Sequence, residues 1–254
     1  MSHTSTPDST IGAKQVTKRK ISEAAVIDRI LSRLPPLNQS RMMINVGASN
    51  GHGARQYARK GWTVYAFEAN PFWTEQWRSE PPIANCHLFN KAISLSDETS
   101  LTFYVSEKHP GIGSLAKFHP THEPIEVEAL SLGDVYDAHK IRAIDFFKID
   151  AETMDLKIMK THDWSIPIAG LLMEFTFRNI EEIYEFITSK VPEYRHTIFE
   201  WVKPYKGCGE IGSPPADCVR MSSISEYRGG RLGDWGNILF YRPSSTMITE
   251  AADL

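Results

Sequence analysis

Three glycines, Gly47, Gly51 and Gly53, stand directly after the apolar run Met42-Met43-Ile44-Asn45-Val46 and before the helix-compatible stretch Ala54 to Lys60. Glycines in a strand-to-helix turn let the backbone approach a ligand closely. Twenty-one residues after Gly47, a second apolar run, Thr63 to Phe67, ends in Glu68. A nucleotide-binding α/β sheet places a carboxylate there to accept hydrogen bonds from ribose hydroxyls. Strand, turn, helix, strand and acid arrive in order and predict an adenosine-type ligand. The plain alternatives are an ordinary strand-to-helix connection for the glycines and a solvated strand end for Glu68.

These groups have to be positioned by a sheet. Short apolar runs at Met42 to Val46, Thr63 to Phe67, His87 to Ile93, Ile144 to Ile149, Leu171 to Phe175, Thr197 to Trp201 and Ile238 to Tyr241 alternate with helical stretches. That is the pattern of a mostly parallel sheet covered on both faces. Ala24, Ile27, Ile30, Leu31 and Leu34 recur at helical spacing until Pro35 and Pro36, which predicts a helix braced on the core or closing over it. Ile180, Ile183, Tyr184 and Ile187 form the stripe of a sheet-packing helix, and Asn70 before Pro71 is a good N-cap. Residues 202–236, rich in glycine and proline, read as long loops, and residues 1–20 as a frayed polar tail.

Composition narrows the function. Lys plus Arg number 28 against 31 Asp plus Glu in 254 residues, a net charge of -3, so no whole-protein field favours a phosphate backbone. Nucleic acid is therefore not the expected partner. Cys86, Cys208 and Cys218 are an odd number without C-x-x-C spacing, which argues against a disulfide framework and a thiolate zinc cage and for a reducing cytoplasm. No apolar run approaches the ~18 residues of a membrane span, and the polar N-terminus lacks the apolar stretch of a signal peptide.

Two known families share parts of this layout. The spacing Gly47, Gly51, Gly53 resembles the short-chain dehydrogenase turn, and Tyr136 with Lys140 supplies a Y-x-x-x-K. In that family the tyrosine lies well over a hundred residues beyond the glycines, whereas Tyr136 is 89 beyond Gly47, so both residues read here as exposed helix or loop. The run Asn45-Val46-Gly47-Ala48-Ser49-Asn50-Gly51, then Ala66-Phe67-Glu68-Ala69-Asn70-Pro71, then Phe147-Lys148-Ile149-Asp150-Ala151-Glu152, with Glu174 ending the next strand, resembles the FkbM-type methyltransferase family over about residues 40 to 177. Ile112 to Leu115 and Leu130 to Asp134 match that family loosely.

The resemblance implies an α/β fold of the class I methyltransferase (Rossmann-like) kind, with a seven-stranded mostly parallel sheet and helices on both faces. It implies S-adenosyl-L-methionine as cofactor, held by Asn45, Gly47, Ala48, Ser49, Gly51, Glu68, Ala69 and Asp150, and a small-molecule or glycan hydroxyl as acceptor. The chain departs from the family at Asn45, Ser49 and Thr153, where the family has Asp, Asn and Gly. An uncharged Asn45 can hydrogen-bond the methionine end of the cofactor, but a charge-assisted bond would be stronger. The organisation read from the chain is a tail and helix at 1–36, a methyltransferase domain at 37–243 and a C-terminal tail at 244–254.

Methyl transfer to an alcohol needs an in-line acceptor oxygen and a base for its proton. The resemblance places Asp150 and Glu152 at the C-terminal end of the fourth strand as candidates, and the plain alternative is that they cap a following helix from Thr153 to Lys160. The same two carboxylates could hold a divalent cation with a vicinal diol, although the sequence has no metal motif. His119, with His109 and His122 in a proline-interrupted stretch, is a further candidate base, its ordinary pKa lying near neutrality. Phe72 or Trp73 could border the adenine, and Arg228-Gly229-Gly230-Arg231 with Gly233 to Asn237 reads as an acceptor loop. The alternatives to a methyltransferase are a nicotinamide-dependent reductase and a non-catalytic cofactor-binding scaffold.

Overall fold

Every residue of the first predicted strand except Met42 is buried, as a central strand flanked by neighbours and covered on both faces requires. The computed structural model describes residues 23–201, 219–227 and 235–243. Residues 1–20, Cys208, Cys218, Arg228 to Arg231, Gly233, Asp234 and residues 244–254 lie outside the described residues.

In chain order the elements begin α1 (Glu23–Arg33), β1 (Met42–Val46), α2 (His52–Arg59), β2 (Thr63–Phe67), α3 (Pro71–Ser79), β3 (Cys86–Phe89), β4 (Ala92–Ser94) and β5 (Ser100–Val105). They continue with β6 (Glu123–Ser131), α4 (Leu132–Ala138), β7 (Ile144–Ile149), α5 (Asp155–Lys160), β8 (Ile168–Thr176), α6 (Ile180–Lys190), β9 (Arg195–Trp201), β10 (Val219–Ser222) and β11 (Trp235–Tyr241). The main sheet has the order β10-β9-β11-β8-β7-β1-β2-β3. Strands β3, β2, β1, β7 and β8 are parallel, while β11, β9 and β10 pair antiparallel. The order reverses between β1 and β7, and that crevice at the strands' carboxyl ends is where open α/β sheets bind ligands.

The expected seven strands are present, and β10 adds an eighth at the edge, inside the segment that the sequence reads as loops. Four residues between polar flanks carry too little periodicity to stand out. The run His87 to Ile93 is also two strands rather than one, since β3 joins the main sheet and β4 a second sheet of order β4-β6-β5. The break falls at Asn90, whose side-chain amide donates to the carbonyls of Glu68 and Ala69, at 3.0 and 3.2 Å, and so leaves the strand pattern. Strands β5 and β6 are not among the runs read from the sequence, although Ile125, Val127 and Ala129 alternate along β6.

Two apolar clusters cover the main sheet, and α1 contributes Ile27, Ile30 and Leu31 to one of them. Tyr136 is not an exposed helix residue. It is 3% exposed, because the Ser131–Asp134 capping box starts α4 so that Leu132, Val135 and Tyr136 face inward. Its hydroxyl bonds Nδ1 of His162 at 2.7 Å. Lys140 is exposed, just past the end of α4. Helix α5 begins at Asp155 rather than Thr153, since Glu152 and Thr153 both have left-handed backbone, at φ 48° and 76°. No helix among the described residues is long and apolar enough to cross a membrane.

Candidate functional site

The chain leaves β1 through a turn in which Gly47, Ser49 and Gly51 have φ of 72°, 49° and 75°. The amides of Gly47 and Ala48 both donate to the Phe67 carbonyl, at 2.9 and 3.0 Å, which pins the turn to the end of β2. On the other side the Asp150 amide donates to the Val46 carbonyl at 3.0 Å. A Cβ on Gly47 would sit 1.8 Å from the Asp150 carbonyl oxygen, and one on Gly51 would sit 2.1 Å from the Trp77 ring. Side chains are thus excluded at both positions by their neighbours as well as by backbone conformation.

Glu68 ties this turn to the next. Its carboxylate is 6% exposed and accepts the Ser49 amide at 2.6 Å and the Asn70 amide at 2.7 Å. Burial pushes its pKa up to about 7, and these two hydrogen bonds oppose the rise. Asn70 caps α3 by accepting the Phe72 amide at 3.1 Å. Its own amide group and the Trp73 indole N–H both donate to the Pro110 carbonyl, which holds the loop after β5 against the site.

Across the switch point lies a group of carboxylates around one ammonium. Lys148 Nζ lies 2.8 Å from Asp150 Oδ2. Carboxylate oxygens of Asp150, Glu152 and Glu174 lie within 4.8 Å of one another. Beneath them the buried Asp155 accepts the amides of Ala151 and Glu174, at 3.3 and 3.2 Å. Glu23 of α1 reaches the same group and accepts the side-chain amide of Asn237 at 2.8 Å.

Burial, followed by the charge of Asp150, raises the pKa values of Glu152, Asp155 and Glu174. Burial also pushes Glu23 to about 7, against the lowering effects of Asn237 and Lys148. Burial alone would lower the Lys148 pKa, but Asp150, Glu23 and Glu174 outweigh it and leave the ammonium firmly charged.

These shifts predict an unusual pH dependence of stability. Carboxyls whose folded pKa lies above the unfolded value bind more protons folded than unfolded, so stability is full below the unfolded value and declines as pH rises through the folded one. For Glu23 and Glu68 that window runs from 4.5 to about 7. The apo protein is expected to melt at a higher temperature at pH 5.5 than at pH 7.5 in buffers of matched ionic strength. A melting temperature rising across that interval would show that these carboxyls are not buried as described.

A cavity of about 880 Å³ joins the two halves of the site. Of the residues predicted from sequence, Asn45, Gly47, Ala48, Ser49, Glu68, Ala69, Asp150 and Glu152 line it. Gly51 does not, because it lies against Trp77 and shapes the turn from below. His119 does not reach the cavity either: its Nδ1 is 2.8 Å from the Thr121 hydroxyl within its own turn. His122 is buried, with Nε2 2.9 Å from the Ile112 carbonyl. Trp73 lines the cavity, while Phe72 is 47% exposed. Tyr136 and Lys140 lie outside it, so the reductase arrangement is not assembled.

Sequence reasoning missed Glu23 and gave no role to Lys148. Lys148 was visible in the K-I-D-x-E run, whereas nothing local marks Glu23. Asn45 is 2% exposed, and its Oδ1 has no hydrogen-bond partner among the described residues, although the residue faces the cavity. A buried unpaired carbonyl oxygen beside a glycine turn fits the ammonium group of an amino-acid-bearing nucleoside. The volume also falls in the usual range for such ligands.

A sequence model described as the methyltransferase FkbM domain matches residues 45–203. No curated protein matches the chain. Among solved structures, a precorrin-6y C5,15-methyltransferase from Geobacter metallireducens GS-15 is similar at 10% identity, with 89% of this chain and 91% of that one covered and a TM-score of 0.38. The 23S rRNA methyltransferase ErmE is similar at 12% identity, with 88% and 70% covered and a TM-score of 0.44. An rRNA methylase from Streptococcus thermophilus is similar at 11% identity, with 87% and 95% covered and a TM-score of 0.41.

Proposed function

The chain belongs to the FkbM methyltransferase family and is an S-adenosylmethionine-dependent methyltransferase, and we propose that its acceptor is a hydroxyl on a sugar, polyketide or other small molecule. The observation that supports this acceptor is the row of carboxyl groups, Glu23, Asp150, Glu152 and Glu174, facing the cavity around Lys148. Carboxyl groups exchange hydrogen bonds with hydroxyls, and Lys148, the ammonium among them, is already paired with Asp150 and so is not free for a phosphate. A small neutral acceptor therefore fits better than nucleic acid.

The bound cofactor supplies an electrophilic methyl on a sulfonium. The chain's part is to bind, orient and deprotonate. Glu68 is placed to accept ribose hydroxyls while it holds Ser49 and Asn70, and the glycine turn lets the backbone of residues 47–49 approach the amino-acid end. Asn45 Oδ1, buried without a partner among the described residues, would accept from the ammonium of the cofactor. Asp150, steadied by Lys148, and Glu152 stand at the end of β7 and line the cavity, where they would accept the proton of an acceptor hydroxyl. Burial and the Asp150 charge make Glu152 a stronger base once it ionises, a property that suits proton removal near neutral pH.

Calorimetric titration with S-adenosylmethionine, S-adenosylhomocysteine and NADPH, followed by methyl transfer to methyl glycosides, catechols and an RNA oligonucleotide, tests this reading. Micromolar binding of both sulfur cofactors, no binding of NADPH and methylation of a hydroxyl are expected. Methylation of RNA alone would overturn the acceptor, and cofactor binding without turnover of any acceptor would favour the scaffold alternative.

A further inference from the structure

The stretch matched by the family, residues 45–203, holds the glycine turn, Glu68, Lys148, Asp150, Glu152 and Glu174. Two cavity-lining polar residues lie outside it on opposite sides, Glu23 before and Asn237 after, and they are bonded to each other at 2.8 Å. Asn237 lies beside Glu174 in the β8–β11 register. This pair therefore stands over the end of the sheet away from β2 and Glu68. Ala24 and Ile27, on the same helix as Glu23, line the cavity as well, while Ile30 and Leu31 anchor that helix in the core.

Among the described residues, Asn237 is the hydrogen-bond partner of Glu23, and it occupies Oε1. Among the described residues no hydrogen bond reaches Oε2. A carboxylate held at one oxygen by an amide and facing a cavity at the other is a fixed acceptor for a hydroxyl. The charges acting on Glu23 are Lys148 and Asp150 on β7, and Glu174 on β8 lies beside its partner Asn237. Lys148 is already paired with Asp150 at 2.8 Å, so a phosphorylated or carboxylated acceptor finds no unpaired cation beside Glu23 among the described residues.

Resting on the methyltransferase reading above, we propose that Glu23, oriented by Asn237, recognises the acceptor, accepting a hydrogen bond from an uncharged polyol and excluding its phosphorylated counterpart. The residues shared with the family hold the cofactor, and α1 with β11 selects the acceptor. Glu23 is a recognition residue in this scheme, and the proton of the attacking hydroxyl is left to the carboxylates at the end of β7.

The test uses the full chain saturated with S-adenosylhomocysteine and ligand-observed saturation-transfer NMR, with methyl α-D-glucopyranoside and glucose 6-phosphate as probes. The neutral glycoside is expected to bind at millimolar concentration and the phosphate at least tenfold more weakly. Glu23→Gln keeps an oxygen for Asn237 but puts an N–H₂ where the second acceptor was, and should weaken the glycoside at least tenfold. S-adenosylhomocysteine affinity should stay within threefold in that variant. Asn237→Ala, which frees Glu23 to rotate, should weaken the glycoside by a smaller factor.

Glycoside binding unchanged in Glu23→Gln overturns the proposal while leaving the methyltransferase reading intact. So do equal binding of both probes and absence of glycoside binding to a wild-type complex that holds S-adenosylhomocysteine. A tenfold loss of S-adenosylhomocysteine in Glu23→Gln overturns it too, by placing Glu23 on the cofactor. Failure of wild type to bind S-adenosylhomocysteine at all would instead sink the reading on which the proposal rests.

Discussion

Gly47→Ala is expected to abolish detectable S-adenosylhomocysteine binding and to destabilise the protein by about 2–5 kcal/mol, from about 1–2 kcal/mol for the left-handed backbone and about 1–3 kcal/mol for overpacking. The added methyl carbon would lie 1.8 Å from a backbone carbonyl, that of Asp150, rather than from a side chain able to swing away. Relief requires either the turn or the end of β7 to move, and the hydrogen bond from the Asp150 amide to the Val46 carbonyl holds them together. The same displacement would carry Asp150 and its partner Lys148 out of place, so binding and stability should fall together. Gly53→Ala is the control: nothing lies within 4 Å of its Cβ, its φ is not positive, and it sits inside α2. Alanine there should be neutral or stabilising by up to about 1 kcal/mol. Urea denaturation and calorimetry on both variants decide the matter, and a Gly47→Ala protein that binds like wild type would mean that the turn is not in contact with β7.

Where the chain repeats a local pattern, the sequence was readable. Apolar runs that must be buried on two faces marked β1, β2, β7 and β8, and the glycine turn followed from its place after the first of them. Readings failed where a feature depends on contacts distant in sequence or on which way a side chain or helix face turns. Nothing in its own surroundings shows that Glu23 will meet Asn237, more than two hundred residues away, and His119 differs from a catalytic histidine only in that its ring turns back to Thr121. Tyr136 was misread because a capping box fixes which side of α4 faces the core.

The departures from the family pattern also take on physical meaning. Ser49 and Thr153 stand where the family has Asn and Gly, and both have positive φ. Asn and Gly tolerate that conformation, whereas a β-branched threonine is strained there by about 1–2 kcal/mol. The backbone has kept the turn required at these two positions despite side chains that disfavour it. Asn45 is the third departure, and it keeps a cavity-facing oxygen while giving up the charge.

Glu68→Ala should cost about 1–3 kcal/mol of stability even without cofactor, because it strands the buried Asn70 amide and the half-buried Ser49 amide. The Ser49 and Asn70 amides are bonded now at 2.6 and 2.7 Å. A solvated strand-end carboxylate would cost almost nothing to remove, so the size of the loss alone separates the two readings of this residue. S-adenosylhomocysteine affinity should fall by at least about 100-fold, equivalent to about 2.7 kcal/mol, since ribose contact and turn geometry are lost together. Glu68→Gln sharpens the argument: it retains one oxygen but turns an N–H₂ group toward an amide N–H, and should bind little better than the alanine variant. The pH dependence supplies an independent check. Burial holds the Glu68 pKa up at about 7, so part of the decline in wild-type stability between pH 4.5 and pH 7 belongs to this group. Removing it should flatten that decline, and the wild-type advantage over Glu68→Ala should be larger at pH 5.5 than at pH 7.5. An advantage that grows with pH would mean that Glu68 is held ionised by a partner stronger than two amides.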